Sequence, residues 1–267
     1  MHTPDTAEVT SLAAEVAALL PQRHNTGWTV SPASVAACPA ARLSDGPRHF
    51  LLATDGGRTT LLTGTPHTAE VSLTVAGSAP AAVASAALRS LLPRIDGAVD
   101  APPTKQPHRL AYLAEVDTRL RELGTLSQQF DRADNTTGLA WQCHDATVSF
   151  TLRGACATGA VSFAGGLEAL ERFLAPFLPP HPGPGRVRAA VQRGCGGVAR
   201  RVVAAYPHAV ECDADGFVRF ADADGGPLQG WVMPRDVNGP VGPRTPVTAG
   251  IIGVGVDLVL SALPTIT

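Results

Sequence analysis

A short self-similarity constrains this chain more than any other feature. Residues 67–77 read HTAEVSLTVAG and residues 144–154 read HDATVSFTLRG. His, Ala, Val, Ser, Thr and Gly coincide at a constant offset of 77 residues. Alternation is the mark of a strand with one buried face. Here it puts Val71, Leu73 and Val75 on one side of the first copy and Val148, Phe150 and Leu152 on the matching side of the second. Each copy is followed by a helical stretch ending in proline, LLP at 91–93 and FLP at 177–179. Each is preceded upstream by an amphipathic helix containing Ala-Glu-Val, at 7–9 and 114–116. The expectation is an α+β fold with two pseudo-repeats of helix, antiparallel strands, helix. A β-rich, Gly/Pro-containing C-terminal region follows. A sheet with one apolar face must cover it, and two half-units related by a pseudo-twofold would each shield the other.

The local signals fill in this frame. Apolar residues at Val9, Leu12, Ala13, Val16, Leu19 and Leu20 recur at helical spacing, with Asp5 or Thr6 as N-cap and Pro21 as stop. Residues 48–64 hold two β-prone runs around Asp55-Gly56-Gly57, a hairpin signal because Asp-Gly and Gly-Gly tolerate positive φ. A third strand is expected over Ala69–Val75, then a helix over Ala79–Leu92 ended by Pro93. Residues 107–130 read as the strongest helix, with a stripe of Leu110, Leu113, Val116, Leu120, Leu123 and Leu126. Strands are expected over Leu139–His144 and Thr147–Arg153, and a helix over Gly166–Leu178. The domain reading is therefore 1–94 for the first unit, 95–106 for a linker, 107–179 for the second unit and 180–267 for the remainder.

The order strand, V-S-x-T-x-x-G, Ala-rich helix, LLP, long Leu/Arg/Glu helix covers residues 45–178. It resembles uncharacterised proteins of actinobacterial mobile elements, phage or plasmid. That resemblance implies no particular activity and assigns no functional residue. The single lysine, Lys105, against twenty arginines fits a high-GC genome of that kind.

Composition narrows the function classes. Hydrophobic residues make up 45% and charged residues 16% of the 267 positions, enough apolar surface to exclude a wholly disordered chain. The formal charge of −2 lacks the basic excess of a dedicated nucleic-acid binder. Cys38, Cys143, Cys156, Cys195 and Cys212 are odd in number and form no CxxC, so reduced, mostly buried thiols in a cytoplasm are expected. The first residues carry no basic segment followed by an apolar run, the pattern of a signal peptide.

The C-terminal third changes texture. The Pro-rich stretch 179–185 reads as a linker. Arg186, Arg188, Arg193, Arg200 and Arg201 follow with no acidic residue among them, a candidate face for nucleic acid or another anion. Glu211, Asp213, Asp215, Gly216 and Asp222 fall on a calcium-loop spacing, yet the first and last ligand types are exchanged, and two Asp-Gly hairpin turns account for the same letters. No metal or cofactor is expected. Strands are expected over 208–213, 217–221 and 228–233. The apolar stretch TAGIIGVGVDLVLSALPTIT reads as a buried strand over Ile251–Leu260, or as an arm for a protein partner or self-association through residues 236–267. A membrane span is disfavoured by its glycines, by Asp257 and by Pro264.

Cys143-His144-Asp145 is the nearest approach to a catalytic cluster. Strand alternation would put the thiol and the imidazole on opposite faces, and no GxSxG or HExxH occurs. The leading expectation is a non-enzymatic assembly component, cytoplasmic or packed into a particle made there. The alternatives are a nucleic-acid accessory protein using Arg186–Arg201 and an enzyme with its site at the repeat interface.

Overall fold

A computed structural model of the chain describes residues 5–23, 26–36, 38–65, 68–99, 107–154, 157–178, 196–206, 210–212, 217–221, 228–236 and 240–267. The fold is α+β with two sheets. The chain divides into two compact units, Met1–Pro102 and Pro103–Thr267, each described by itself.

The first unit opens with helix α1 (Thr6–Leu19). Asp5 accepts from the Glu8 amide at 2.8 Å while the Glu8 carboxylate accepts from the Asp5 amide, a reciprocal capping box. Five strands follow as an antiparallel meander: β1 (Thr29–Val35), β2 (Cys38–Asp45), β3 (Arg48–Asp55), β4 (Arg58–Thr65) and β5 (Thr68–Ala76). The β3–β4 turn is made by Gly56 and Gly57, both at positive φ, as the Asp-Gly-Gly signal requires. The unit closes with α2 (Pro80–Ala86), a π turn (Ala87–Leu91) and α3 (Leu92–Val99). Val9, Ala13 and Val16 of α1 pack with Leu43, Phe50, Leu52 and Leu61 of the sheet and Val83, Leu88, Leu91 and Leu92 of the closing helices as this unit's core.

Two expectations fail here. Pro93 does not end the helix. The wide π turn before it, with the Leu92 amide donating to Ala87 O, lets the chain accept the proline ring and continue. Residues 95–99, expected to be linker, therefore stay helical, with Ile95 and Asp96 buried.

The second unit contains the order helix, four strands, helix twice. The first set is α4 (Pro107–Glu122), β6 (Ser127–Arg132), β7 (Thr136–Cys143), β8 (Ala146–Arg153), β9 (Thr158–Gly166) and α5 (Leu167–Leu174). The second is α6 (Gly197–Ala205), β10 (Val210–Cys212), β11 (Val218–Ala221), β12 (Gln229–Pro234), β13 (Pro246–Gly255) and α7 (Val256–Ile266). All eight strands form one antiparallel sheet in the order β10-β11-β12-β13-β9-β8-β7-β6. The two meanders meet at their last strands: β9 and β13 pair antiparallel, Val161 opposite Ile251. Each of these strands passes directly into its helix through a glycine N-cap of matching geometry, Gly166 at φ −78, ψ 158 and Gly255 at φ −76, ψ 157.

The C-terminal stretch is thus neither a free arm nor a span. Its first half is the central strand of the sheet, and its second half is a helix with Leu258, Val259, Leu263 and Ile266 buried. The elements from α6 to α7 supply four of the eight strands of this sheet. Among the described residues no helix is long and apolar enough to cross a membrane. The expected helix 107–130 stops at Glu122. Gly124 takes φ 78, and its amide donates to Arg121 O at 2.9 Å, a left-handed helix stop that turns the chain into β6. Leu126, assigned to the apolar stripe, lies on that turn and is 84% exposed.

The paired segments 67–77 and 144–154 contain strands β5 and β8, but these do not occupy matching places. β8 is the third of four strands and lies inside its sheet, with Val148, Phe150 and Leu152 buried. β5 is the last strand of its meander and lies at a sheet edge, with Leu73 and Val75 half-buried. The strand that, like β5, directly precedes a closing helix is β9. At an offset of 90 residues, Thr68, Val71, Ser72 and Leu73 align in sequence with Thr158, Val161, Ser162 and Phe163. A strand draws on few residue types, so the shorter offset gave the longer string without the matching topology.

The cysteine expectation is corrected as well. Cys38 is an exposed free thiol and Cys143 a half-buried one, while Cys212 on β10 is disulfide-bonded. Sequence spacing does not report which thiols the fold brings together. Cys156 and Cys195 lie outside the described residues.

Candidate functional site

Strand parity gives the eight-stranded sheet two unlike faces. One row runs Phe220, Gly230, Ile251, Val161, Phe150 and Leu139 across six strands. Its large members are buried, and helix residues close over that face: Phe173 of α5 stacks on Phe163 at 4.9 Å, and Trp141 Nε1 donates to Ile266 O of α7 at 3.1 Å. The next row runs Arg219, Trp231, Gly250, Ser162, Ser149, Ala140 and Gln128. Among the described residues this row is exposed or half-buried except at Gly250, and its middle members, Gly250, Ser162, Ser149 and Ala140, are small.

Its apolar load is concentrated on two neighbouring strands. Trp231 is 37% exposed and Met233 40% on β12, and Ile252 is 51% exposed on β13. Trp231 lies across the Cα of Gly250, where an added Cβ would stand 2.9 Å from the indole, so glycine there lets the ring lie flat on the sheet. Phe217 packs beside it at 6.4 Å between centroids. Exposed large apolar groups scattered singly are ordinary, whereas a contiguous cluster on an uncovered face marks a binding surface.

At the Met233 end the face deepens into a pocket of about 760 Å³. Phe217, Met233, Pro234 and Val247 give it apolar walls, and Asp145, Arg235 and Arg244 supply the charges. Neither guanidinium has an ion-pair partner among the described residues. The combination suits an apolar group carrying a carboxylate, since arginine grips a carboxylate with two parallel N–H bonds.

The Cys143–His144 pair lies nearby, on the β7–β8 turn. His144 adopts φ 55, so strand alternation no longer applies, and the thiol sits 3.8 Å from His144 Nδ1. The expected separation on opposite faces is therefore wrong. Burial pushes the thiol pKa up, outweighing the opposing pull of Arg172, and Asp145 pushes in the same direction as burial, so the thiolate fraction is lowered. Thiolate, not thiol, is the reactive form. Cys143 is expected to react with iodoacetamide more slowly than free cysteine at mildly alkaline pH, and Arg172→Ala to slow it further. Peptide mass spectrometry over a time course reads both rates, and a rate at or above that of free cysteine contradicts this assignment.

The sequence-predicted anion face is not assembled as expected. Arg186, Arg188 and Arg193 lie outside the described residues. Arg201 on α6 is already engaged: its Nε and NH2 donate to the two carboxylate oxygens of Glu171 on α5, NH2 at 3.0 Å, and this hydrogen-bonded pair raises its pKa. Arg200 stands exposed on the same helix with contacts of its own. Of the calcium-spaced residues, Glu211 is exposed on β10, directly across from Arg219 on β11. Asp213, Asp215 and Asp222 lie outside the described residues. Among the described residues no group of three His, Cys, Asp or Glu side chains is placed to hold a metal ion.

Sequence reasoning missed the open face altogether. The alternation in Gln229–Pro234 was legible as a strand, but which side of it would be left uncovered depends on β13, a strand that enters from the far end of the chain. No family model matches the chain, and no curated protein or solved structure matches it significantly.

Proposed function

We propose that this chain is a non-enzymatic protein-binding component whose partner docks on the open face of the eight-stranded sheet. The observation that carries this reading is the joint exposure of Trp231, Met233 and Ile252 beside a pocket whose two guanidinium groups have no ion-pair partner among the described residues. The partner segment has an apolar anchor for the pocket and an Asp, Glu or terminal carboxylate for Arg235 and Arg244. A nucleic-acid role through Arg186–Arg201 has less support, because Glu171 already neutralises Arg201. We also propose that one helix–strands–helix module was repeated to make the chain. The recurring element order and the shared Thr-x-x-Val-Ser of β5 and β9 support this. A cytoplasmic setting, or a particle built there, is part of the same proposal, and the oxidation state of Cys212 in protein taken directly from cells tests it.

The binding test is selection from a random twelve-residue peptide library against the full chain. Selected peptides are expected to pair an aromatic or aliphatic residue with a nearby acid. Their affinity should fall about tenfold or more in Trp231→Ala with Met233→Ala, the effect of removing central anchors. Both side chains are surface groups, so the fold should survive, as circular dichroism will show. Peptides that bind equally well to the double variant, or no selection at all, refute the reading.

A further inference from the structure

We propose that β5 pairs antiparallel with β5 of a second copy of this chain, joining two first units into one continuous sheet. This rests on the first unit alone and is independent of the face described above.

The first observation is positional. In the second unit the strands that precede the closing helices, β9 and β13, pair with each other and join two meanders into one sheet. β5 holds the same place in the first unit, before α2, and among the described strands none lies beyond it. It matches the paired strands in length, nine residues against nine and ten. It also carries the Thr-x-x-Val-Ser of β9. A second copy is the occupant that offers the same strand in return.

The second observation is how the sheet edges are guarded. An edge strand presents free N–H and C=O groups, and proteins block unwanted pairing with proline, charge or shortness. β1 has Pro32 in its middle. β6 carries Asp131 and Arg132 side by side. β10 is three residues long. β5 reads TAEVSLTVA, with no proline and one charge, Glu70. Of the four edges among the described strands it is the one left fit for pairing.

The register follows from the second unit. There Val161 stands opposite Ile251. Carried to β5, Val71 faces Val71 of the second copy, and Glu70 faces Ser72 in both directions. A twofold axis then passes beside Val71, and the pair of positions 70 and 72 is formed twice.

Sedimentation of the full chain across the micromolar range tests this. The expected mass is twice 27.5 kDa. Glu70→Lys with Ser72→Lys puts like charges directly opposite each other at both pairs and should raise the dissociation constant about tenfold or more. Ser72→Glu, acting with the native Glu70, should do the same with negative charge. Mixing the two variants should restore the dimer mass, because each lysine then meets a glutamate. That recovery also shows that both variants are folded, and it fails to occur if the edge is not the contact. A wild-type chain that stays monomeric overturns the pairing. So do charge variants of unchanged mass, or a mixture that remains monomeric.

Discussion

Asp96→Ala is expected to cost the first unit about 3–5 kcal/mol, a large share of the roughly 5–15 kcal/mol that a domain of this size possesses. Asp96 is buried on α3 between two equally buried guanidiniums, 3.1 Å from Arg23 and 3.5 Å from Arg48. Arg48 also pairs with buried Asp45 three residues earlier, across the β2–β3 turn. The Thr26 hydroxyl donates to the same Asp45 carboxylate, and Trp28 lies 5.3 Å from the Arg48 guanidinium while its Nε1 donates to Pro21 O at 3.1 Å. Two positive and two negative charges thus tie the segment after α1, the β2–β3 hairpin and the closing helix at one point. Removing Asp96 takes away a buried carboxylate that both guanidiniums share, and desolvation of those cations sets the cost.

The companion variant separates charge from shape. Arg23→Met with Asp96→Leu removes one cation and one anion together and fills the space with apolar groups. It is expected to recover a large part of the loss, since well-packed hydrophobic replacements of buried ion pairs are often neutral. Urea unfolding of the full chain, followed by a probe in the first unit, measures both. A single variant costing less than about 1 kcal/mol would mean that the network is not what locks these elements.

Much of this architecture was legible in the residues, for identifiable reasons. The capping box of α1 and the Gly56-Gly57 turn are local chemistry, and local chemistry is written locally. β7 and β8 were visible because large apolar residues, Leu139, Trp141, Val148 and Phe150, alternate with polar ones. β9 was missed because its exposed positions include Ala164 and glycines break its run, so TGAVSFAGG lacks contrast between its two faces. β1 and β2 were missed for a similar cause, their strands being rich in Ala, Ser and Pro. The end of α4 was overrun because Leu123 and Leu126 continue a helical spacing that only the left-handed Gly124 interrupts. The buried network was illegible: Arg23, Asp45, Arg48 and Asp96 read as ordinary surface charges until the closing helix carries Asp96 over the hairpin.

Deleting residues 246–267 is expected to abolish cooperative folding of the second unit, the larger of the two effects. β13 is hydrogen-bonded to β12 on one side and β9 on the other, so without it the sheet falls into separate pieces of three and four strands. The same deletion removes α7, whose Val256, Leu258, Val259, Leu260, Leu263 and Ile266 are all buried. At about 1.5–3 kcal/mol for each large apolar side chain, the lost burial equals or exceeds the whole net stability of a domain. α4 and α5 both pack on α7, and the buried Trp141 indole would lose its acceptor at Ile266. The apolar tail is thus spent inside its own unit, and its hydrophobicity is no sign of a waiting partner. Calorimetry should show the second unit's transition disappear in the truncated chain, while amides of the β3–β4 hairpin in the first unit stay protected from exchange. Leu263→Ala is the graded form, costing about 2–5 kcal/mol while leaving the sheet intact. A truncated chain that keeps both transitions would show that the two meanders are held together by something other than β13 and α7.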